Sequence, residues 1–270
     1  MKKFLLIVMS LSIFINSIVN IPTASALSIS NTDLPEIGKV VEGFKLVEII
    51  ENHQITGQLA IFKHEKTGAT LVYNKNNDNN RTFSITFRTP CLDDTGVNHV
   101  LEHSVLGGSK KYPSQGLFFG LINQTYNTFM NAMTMYDFTT YPCSSLSEQQ
   151  LLKLSDVYMD AVFNPMVLTV KRIFDREAYR YTLDSIDSNI ELTGTVYNEM
   201  KGIYDLNYAH MLNLINEMCS NSEPMHVSGG DPAHITELTY EQLISTHNTY
   251  YHPSNCMIFL YGDLNYKKFF

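Results

Sequence analysis

Apolar and polar residues alternate at period two in three stretches early in the chain. QLAIFKHEKTGATLVYNKN reads as two strands around a turn at Lys66-Thr67-Gly68, and RTFSITFRT, residues 81–89, as a third strand. From Asp93 the period becomes helical. Val97, Val100, Leu101 and Val105 fall on one stripe, Asp94 or Thr95 can cap its start, and Gly107-Gly108 ends it. A second helix is predicted over roughly 117–130, with AMTMYDFTTYP extended after it. Ser147 and Gln150 form a capping box ahead of Leu151, Leu154, Tyr158 and Ala161, which share a helix face. Further helices are expected near 170–179, 195–219 and 239–250, and CMIFLYGD reads as a buried strand; residues 27–54 are mixed and yield no element. Interleaved strands and helices of this kind predict an α+β fold, in which helices cover a largely antiparallel sheet within one domain.

The first 26 residues depart from that pattern. Lys2 and Lys3 precede the apolar run FLLIVMSLSIFINSIV and then Ala24-Ser25-Ala26, which reads as a secretory signal peptide cleaved after Ala26. A membrane anchor is the rival, but the run is short for a span and Ser10, Ser12, Asn16 and Ser17 interrupt it. The expectation is therefore a secreted, extracellular protein with no stable membrane anchor, whose mature domain is residues 27–270. A formal charge of -8 argues against nucleic acid or an anionic membrane surface as the main partner. Cys91, Cys143, Cys219 and Cys256 are widely spaced with no C-x-x-C pair, so buried free thiols are expected, although secretion would permit disulfides.

The chemistry concentrates on the first helix, where residues 99–103 read His-Val-Leu-Glu-His. Two imidazoles four positions apart stand one above the other, so both can reach one ion. Zinc accepts imidazole nitrogen at about 2.0–2.1 Å and, in catalytic sites, takes three protein ligands and leaves a fourth position for water. Glu102 leaves the helix beside the two histidines, where a carboxylate can act as general base on a zinc-bound water. The plain alternative is a pair of satisfied histidines with no metal.

TGVNHVLEHSVLGGSKKYP resembles the inverted zinc motif of the pitrilysin and insulin-degrading metallopeptidases, in the branch that contains presequence protease and falcilysin. EIGKVVEGFKLVEI, TVYNEMKGIY and VSGGDPAHITELTYEQLISTHNTYYHPSNC are similar to that branch in the same order. The resemblance implies a mitochondrial-processing-peptidase-like metallohydrolase domain holding one Zn2+ per chain, with His99, His103 and Glu199 as ligands and Glu102 as the catalytic base. By its own sequence context Glu199, on a helix with Val196, Met200 and Ile203 as its apolar stripe, would be solvated. Asn131 and Ala132 match the family's substrate-binding edge, where a peptide adds as a β-strand; the plain reading is that Asn131 ends its helix. Glu191 and Asp205 are candidates to orient ligands, or else are solvated. His226, His234, His252 and the turn Gly229-Gly230-Asp231-Pro232 are taken as structural.

Members of that family build a chamber from four related domains, and their distal half supplies an Arg and a Tyr to the tetrahedral intermediate. The sequence as given is accordingly expected to be the N-terminal zinc metallopeptidase domain, with a distal-half domain or a second subunit as partner. Two functions stay open. One is a zinc-dependent endopeptidase domain hydrolysing short unfolded peptides by Glu-activated water; the other is a truncated non-catalytic remnant or assembly subunit that binds metal or peptide without turnover.

Overall fold

Aromatic and β-branched residues at alternate positions build the sheet. In the computed structural model, which describes residues 34–52, 57–205 and 226–270 with positions 211, 215 and 218, the chain opens with five strands: β1 (Val40–Val41), β2 (Phe44–Asn52), β3 (Gly57–His64), β4 (Thr70–Lys75) and β5 (Arg81–Arg88). Phe83, Ile85 and Phe87 of β5 are buried in step with the pleat, as are Ala60 and Phe62 of β3 and Leu71 and Tyr73 of β4. Helix α1 (Val97–Val105) and helix α2 (Leu117–Gln124) follow, then β6 (Phe129–Met130), β7 (Met133–Thr134), β8 (Phe138–Ser145) and helix α3 (Glu148–Phe163). Helix α4 (Lys171–Glu177), the hairpin β9 (Arg180–Thr182) and β10 (Glu191–Thr193), helix α5 (Thr195–Tyr204), helix α6 (Tyr240–Tyr250) and β11 (Cys256–Gly262) complete the described elements. Residues 1–26 and Cys219 lie outside the described residues, so the proposed signal peptide and that thiol are not part of this description.

Among the described residues, nine strands form one sheet in the order β1-β2-β3-β4-β11-β5-β8-β6, with β7 also paired to β8. Every pair is antiparallel except β4 with β11, so the expected α+β architecture of a largely antiparallel sheet covered by helices is found. Pro35–Phe270 make one unit around this sheet. Its core joins Phe62, Tyr73, Phe83 and Ile85 from the strands to Val100, Leu101 and Val105 of α1 and Leu151, Leu154 and Tyr158 of α3. Cys91, Cys143 and Cys256 are free thiols; two are buried as expected, while Cys91 is partly exposed.

Local departures from the sequence reading have physical causes. Strand β2 was read as featureless because a bulge between Leu46 and Glu48 breaks its alternation. Helix α2 stops at Gln124, six residues early: Asn127 Nδ2 donates to the Leu121 and Ile122 carbonyls at 3.2 and 3.0 Å and so ends the helix. The chain beyond is then free to pair as β6 with Ser144 and Cys143 of β8.

Candidate active site

Helix α1 starts on a glycine and not on a capping side chain. Gly96 has φ 66° and contributes no side-chain cap, so the expected caps at Asp94 and Thr95 are not used. Asp94 instead clamps the loop that precedes α6. Its carboxylate accepts from Val227 N at 2.8 Å and from His226 Nδ1 at 3.1 Å, and its carbonyl accepts from Asp231 N at 2.8 Å. Burial alone would raise the Asp94 carboxyl, but these amide and imidazole partners outweigh it and hold the group below its ordinary range. Close approach is possible because the meeting residues are glycines: a Cβ on Gly96 would lie 2.7 Å from both Gly229 O and Gly230 Cα.

That clamp sets His99. Its Nδ1–H donates to Gly229 O at 3.0 Å, and since a carbonyl can only accept, the Nε2 lone pair is left facing the cleft. One turn on, His103 stands with its ring centroid 4.9 Å from that of His99. Helix α5 buries Val196 and Met200 and turns Glu199 toward the pair, so Glu199 Oε2 lies 3.9 Å from His99 Nε2 and 3.7 Å from His103 Nε2. Ligand atoms of His99, His103 and Glu199 all fall within 4.8 Å of one another. Two ligands about 2.0–2.1 Å from one tetrahedral ion stand about 3.4 Å apart, so this donor set fits a zinc-sized ion.

Glu102 is buried beside them, and its Oε2 accepts from Thr134 Oγ1 of β7 at 2.7 Å. The other face of His103 meets Glu177, whose Oε2 is 3.7 Å from Nδ1. Burial would lower the His103 pKa, but Glu177, Glu102 and Glu199 together raise it. Glu177 is held low against its own burial by His103, Arg176 and Thr195. With Glu177 answered by Arg176, Glu102 and Glu199 remain as two negative charges, the number that balances a divalent cation beside two neutral imidazoles.

All of these groups line one cleft of about 880 Å³, whose apolar walls include Phe118, Phe119, Met133 and Met135. Asn131 and Ala132 lie on its rim between β6 and β7. Asn131 does not end a helix: its amide donates to Pro142 O at 3.1 Å and its carbonyl accepts from Tyr158 OH at 2.8 Å. Glu191 pairs with Thr182 in the β9–β10 hairpin and Asp205 follows the end of α5; both are exposed and neither lines the cleft, so of the two readings left open for them the solvated one holds. Glu177, Thr134 and Gly229 hold the orienting places. The turn around Gly229, read as structural, touches the site directly through His99.

A family model described as Insulinase (Peptidase family M16) matches residues 92–211. Protein HypA of Clostridium perfringens is 42% identical over 230 residues, which cover 85% of this chain and 24% of that one. The mitochondrial presequence protease of Drosophila melanogaster is 41% identical over 239 residues, 86% of this chain and 23% of its own. In Arabidopsis thaliana, presequence protease 1, chloroplastic/mitochondrial, is 40% identical over 222 residues, 82% and 21% of the two chains. In fold the chain is similar to pitrilysin, with a TM-score of 0.63 at 16% identity over 84% of this chain and 23% of that one. A Helicobacter pylori protease gives a TM-score of 0.58 at 18% identity over 75% of this chain and 46% of that one. The chain spans about a quarter of the length of the curated relatives it matches. These relatives overturn the expectation of secretion, because the presequence proteases are named as mitochondrial or chloroplastic. An apolar run behind two lysines reports hydropathy and not destination.

Proposed function

Given that this chain carries a peptidase family M16 (insulinase) domain, we propose that it is a zinc-dependent endopeptidase domain that cleaves short unfolded peptides. The observation that carries this reading is the convergence of His99, His103 and Glu199 on one point beside the buried Glu102 carboxylate. The relatives' name, presequence protease, makes cleaved targeting peptides the substrate class to test first.

In this reading His99 and His103 hold one zinc ion by Nε2 and Glu199 by its carboxylate. Bound there, zinc supplies a Lewis acid for water and for the peptide carbonyl. Glu102, with Oε2 fixed by Thr134, keeps Oε1 free to take the proton of the attacking water and return it to the departing amine. Asn131 and Ala132 lie where this edge of β8 is covered by the two-residue strands β6 and β7, the place for an extended peptide to add; the Asn131 main-chain amide and carbonyl are already engaged by Pro142 and Tyr158, so Asn131 contributes its side chain and the main-chain pairing falls to Ala132. Edge pairing of this kind is tolerant of sequence and demands an unfolded substrate.

Metal analysis of four variants tests the assignment. His99→Ala, His103→Ala and Glu199→Ala are expected to lose zinc, whereas Glu102→Gln keeps it and, in a turnover-competent form, loses about 10²–10⁴ in rate. Zinc loss in Glu102→Gln equal to that of the ligand variants would overturn the division between ligands and base.

A further inference from the structure

The two histidines are braced differently. Behind His99 stands a main-chain carbonyl, Gly229 O; behind His103 stands a carboxylate, with Glu177 Oε2 at ion-pair distance from Nδ1 while Nε2 faces Glu199. Glu177 is the last residue of α4, and its side chain keeps 10% of its exposure. A carboxylate is not taken out of water without a compensating partner. Arg176 is one partner, through Nε to Oε1 at 2.6 Å, and is itself held by Gln115 Oε1 at 3.1 Å. It does not explain the burial, because the Arg176 side chain stays 36% exposed and could be met by a carboxylate at the surface. What lies inward of Glu177 is His103. The helices are also close here: a Cβ on Gly107, just past α1, would lie 2.7 Å from Ile173 Cγ2 and 3.2 Å from Arg176 Nη2, so a side chain at 107 would have to displace these α4 side chains.

We propose that Glu177 is a positioning residue for the metal centre, which holds His103 with its proton on Nδ1 and its Nε2 lone pair aimed between His99 and Glu199. Arg176 occupies Oε1 so that Oε2 is presented to the imidazole. Such a carboxylate fixes ring orientation and makes the coordinating nitrogen more basic, and its loss typically weakens metal binding about 10–100-fold. The inference rests on the zinc reading above.

The test is zinc affinity, measured by competition with a chromophoric chelator on the 270-residue chain, its Glu177→Ala variant and the isosteric Glu177→Gln. Each is also melted metal-free, and its cobalt(II) absorption spectrum is recorded. Expected are about 10–100-fold weaker zinc binding for Glu177→Ala, a smaller loss for Glu177→Gln, a changed cobalt spectrum in both, and an unchanged metal-free melting temperature for Glu177→Gln. Zinc affinity and cobalt spectrum of Glu177→Gln identical to the parent would overturn the proposal, as would a loss that only tracks a lowered metal-free melting temperature. If the parent itself takes up no zinc, the zinc reading falls and this inference with it; if the parent binds and Glu177→Gln is indistinguishable, only this inference falls.

Discussion

A methyl group on residue 96 would press on Gly229 O, the same oxygen that accepts from His99. Gly96 also has φ 66°, a left-handed conformation that costs other residues about 1–2 kcal/mol before any clash. Gly96→Ala should therefore lower stability by about 1–3 kcal/mol and weaken zinc binding in the same variant, read by urea unfolding and metal titration. A variant with parental midpoint and parental affinity would show that the glycine contact does not set His99. At this scale His99, Glu102 and His103 were legible in the sequence because a helix of known period brings neighbours four apart together. The Thr134–Glu102 bond spans 32 positions and the His99–Gly229 bond 130, and no local pattern encodes meetings that the sheet and loop arrange. Glu199 was legible only through likeness to a family, since its own helix marks it as solvated.

Helix α1 is the element on which the site depends, and its buried stripe fastens it to the sheet. Leu101 is fully buried, so Leu101→Ala should cost about 2–5 kcal/mol in urea unfolding, with zinc binding weakened as the helix loosens. Asp94 fastens the other end. Its folded-state carboxyl is held below the unfolded value, so the clamp contributes stability that is present above the ordinary carboxylate range and is lost as pH falls through the lowered value. Asp94→Asn should accordingly be less stable than the parent at pH 7, and the gap should narrow in strong acid. A gap that stays constant from pH 7 to pH 2 would mean that the charge is not what matters. Helices and central strands were readable because their apolar periods are long and regular. The bulged β2 and the three-residue strands β9 and β10 were not, because each is set by pairing with another strand; the early end of α2 turns on Asn127, only five and six residues beyond the carbonyls it binds, but apolar periodicity carries no mark of a side-chain hydrogen bond.

Across the whole molecule, the cleft is unevenly equipped. Among the described residues lining it, Arg176 is the single Arg or Lys, and Glu177 and Gln115 already engage it. Under the proposed function this face would supply a metal seat and a base, with no free cationic side chain among the described residues to join the metal at the negative oxygen that develops on the peptide carbonyl; donors of that kind contribute about 10²–10³ in rate. The zinc-loaded 270-residue chain is therefore expected to cleave a quenched fluorescent peptide slowly, below about 1 s⁻¹. Turnover of about 1–10³ s⁻¹ that Glu102→Gln abolishes would show that the described face suffices. The sheet order has a separate consequence, for how the protein comes into being. Strand β11 lies between β4 and β5, so the β1–β4 half and the β5–β8 half share no strand pairing until residues 256–262 arrive. On a ribosome adding about 5–20 residues per second, β4 waits roughly 10–40 s with its inner edge open. During that interval the nascent chain presents two unpaired edges to its surroundings, and β11, once it has emerged, closes both at once like a keystone.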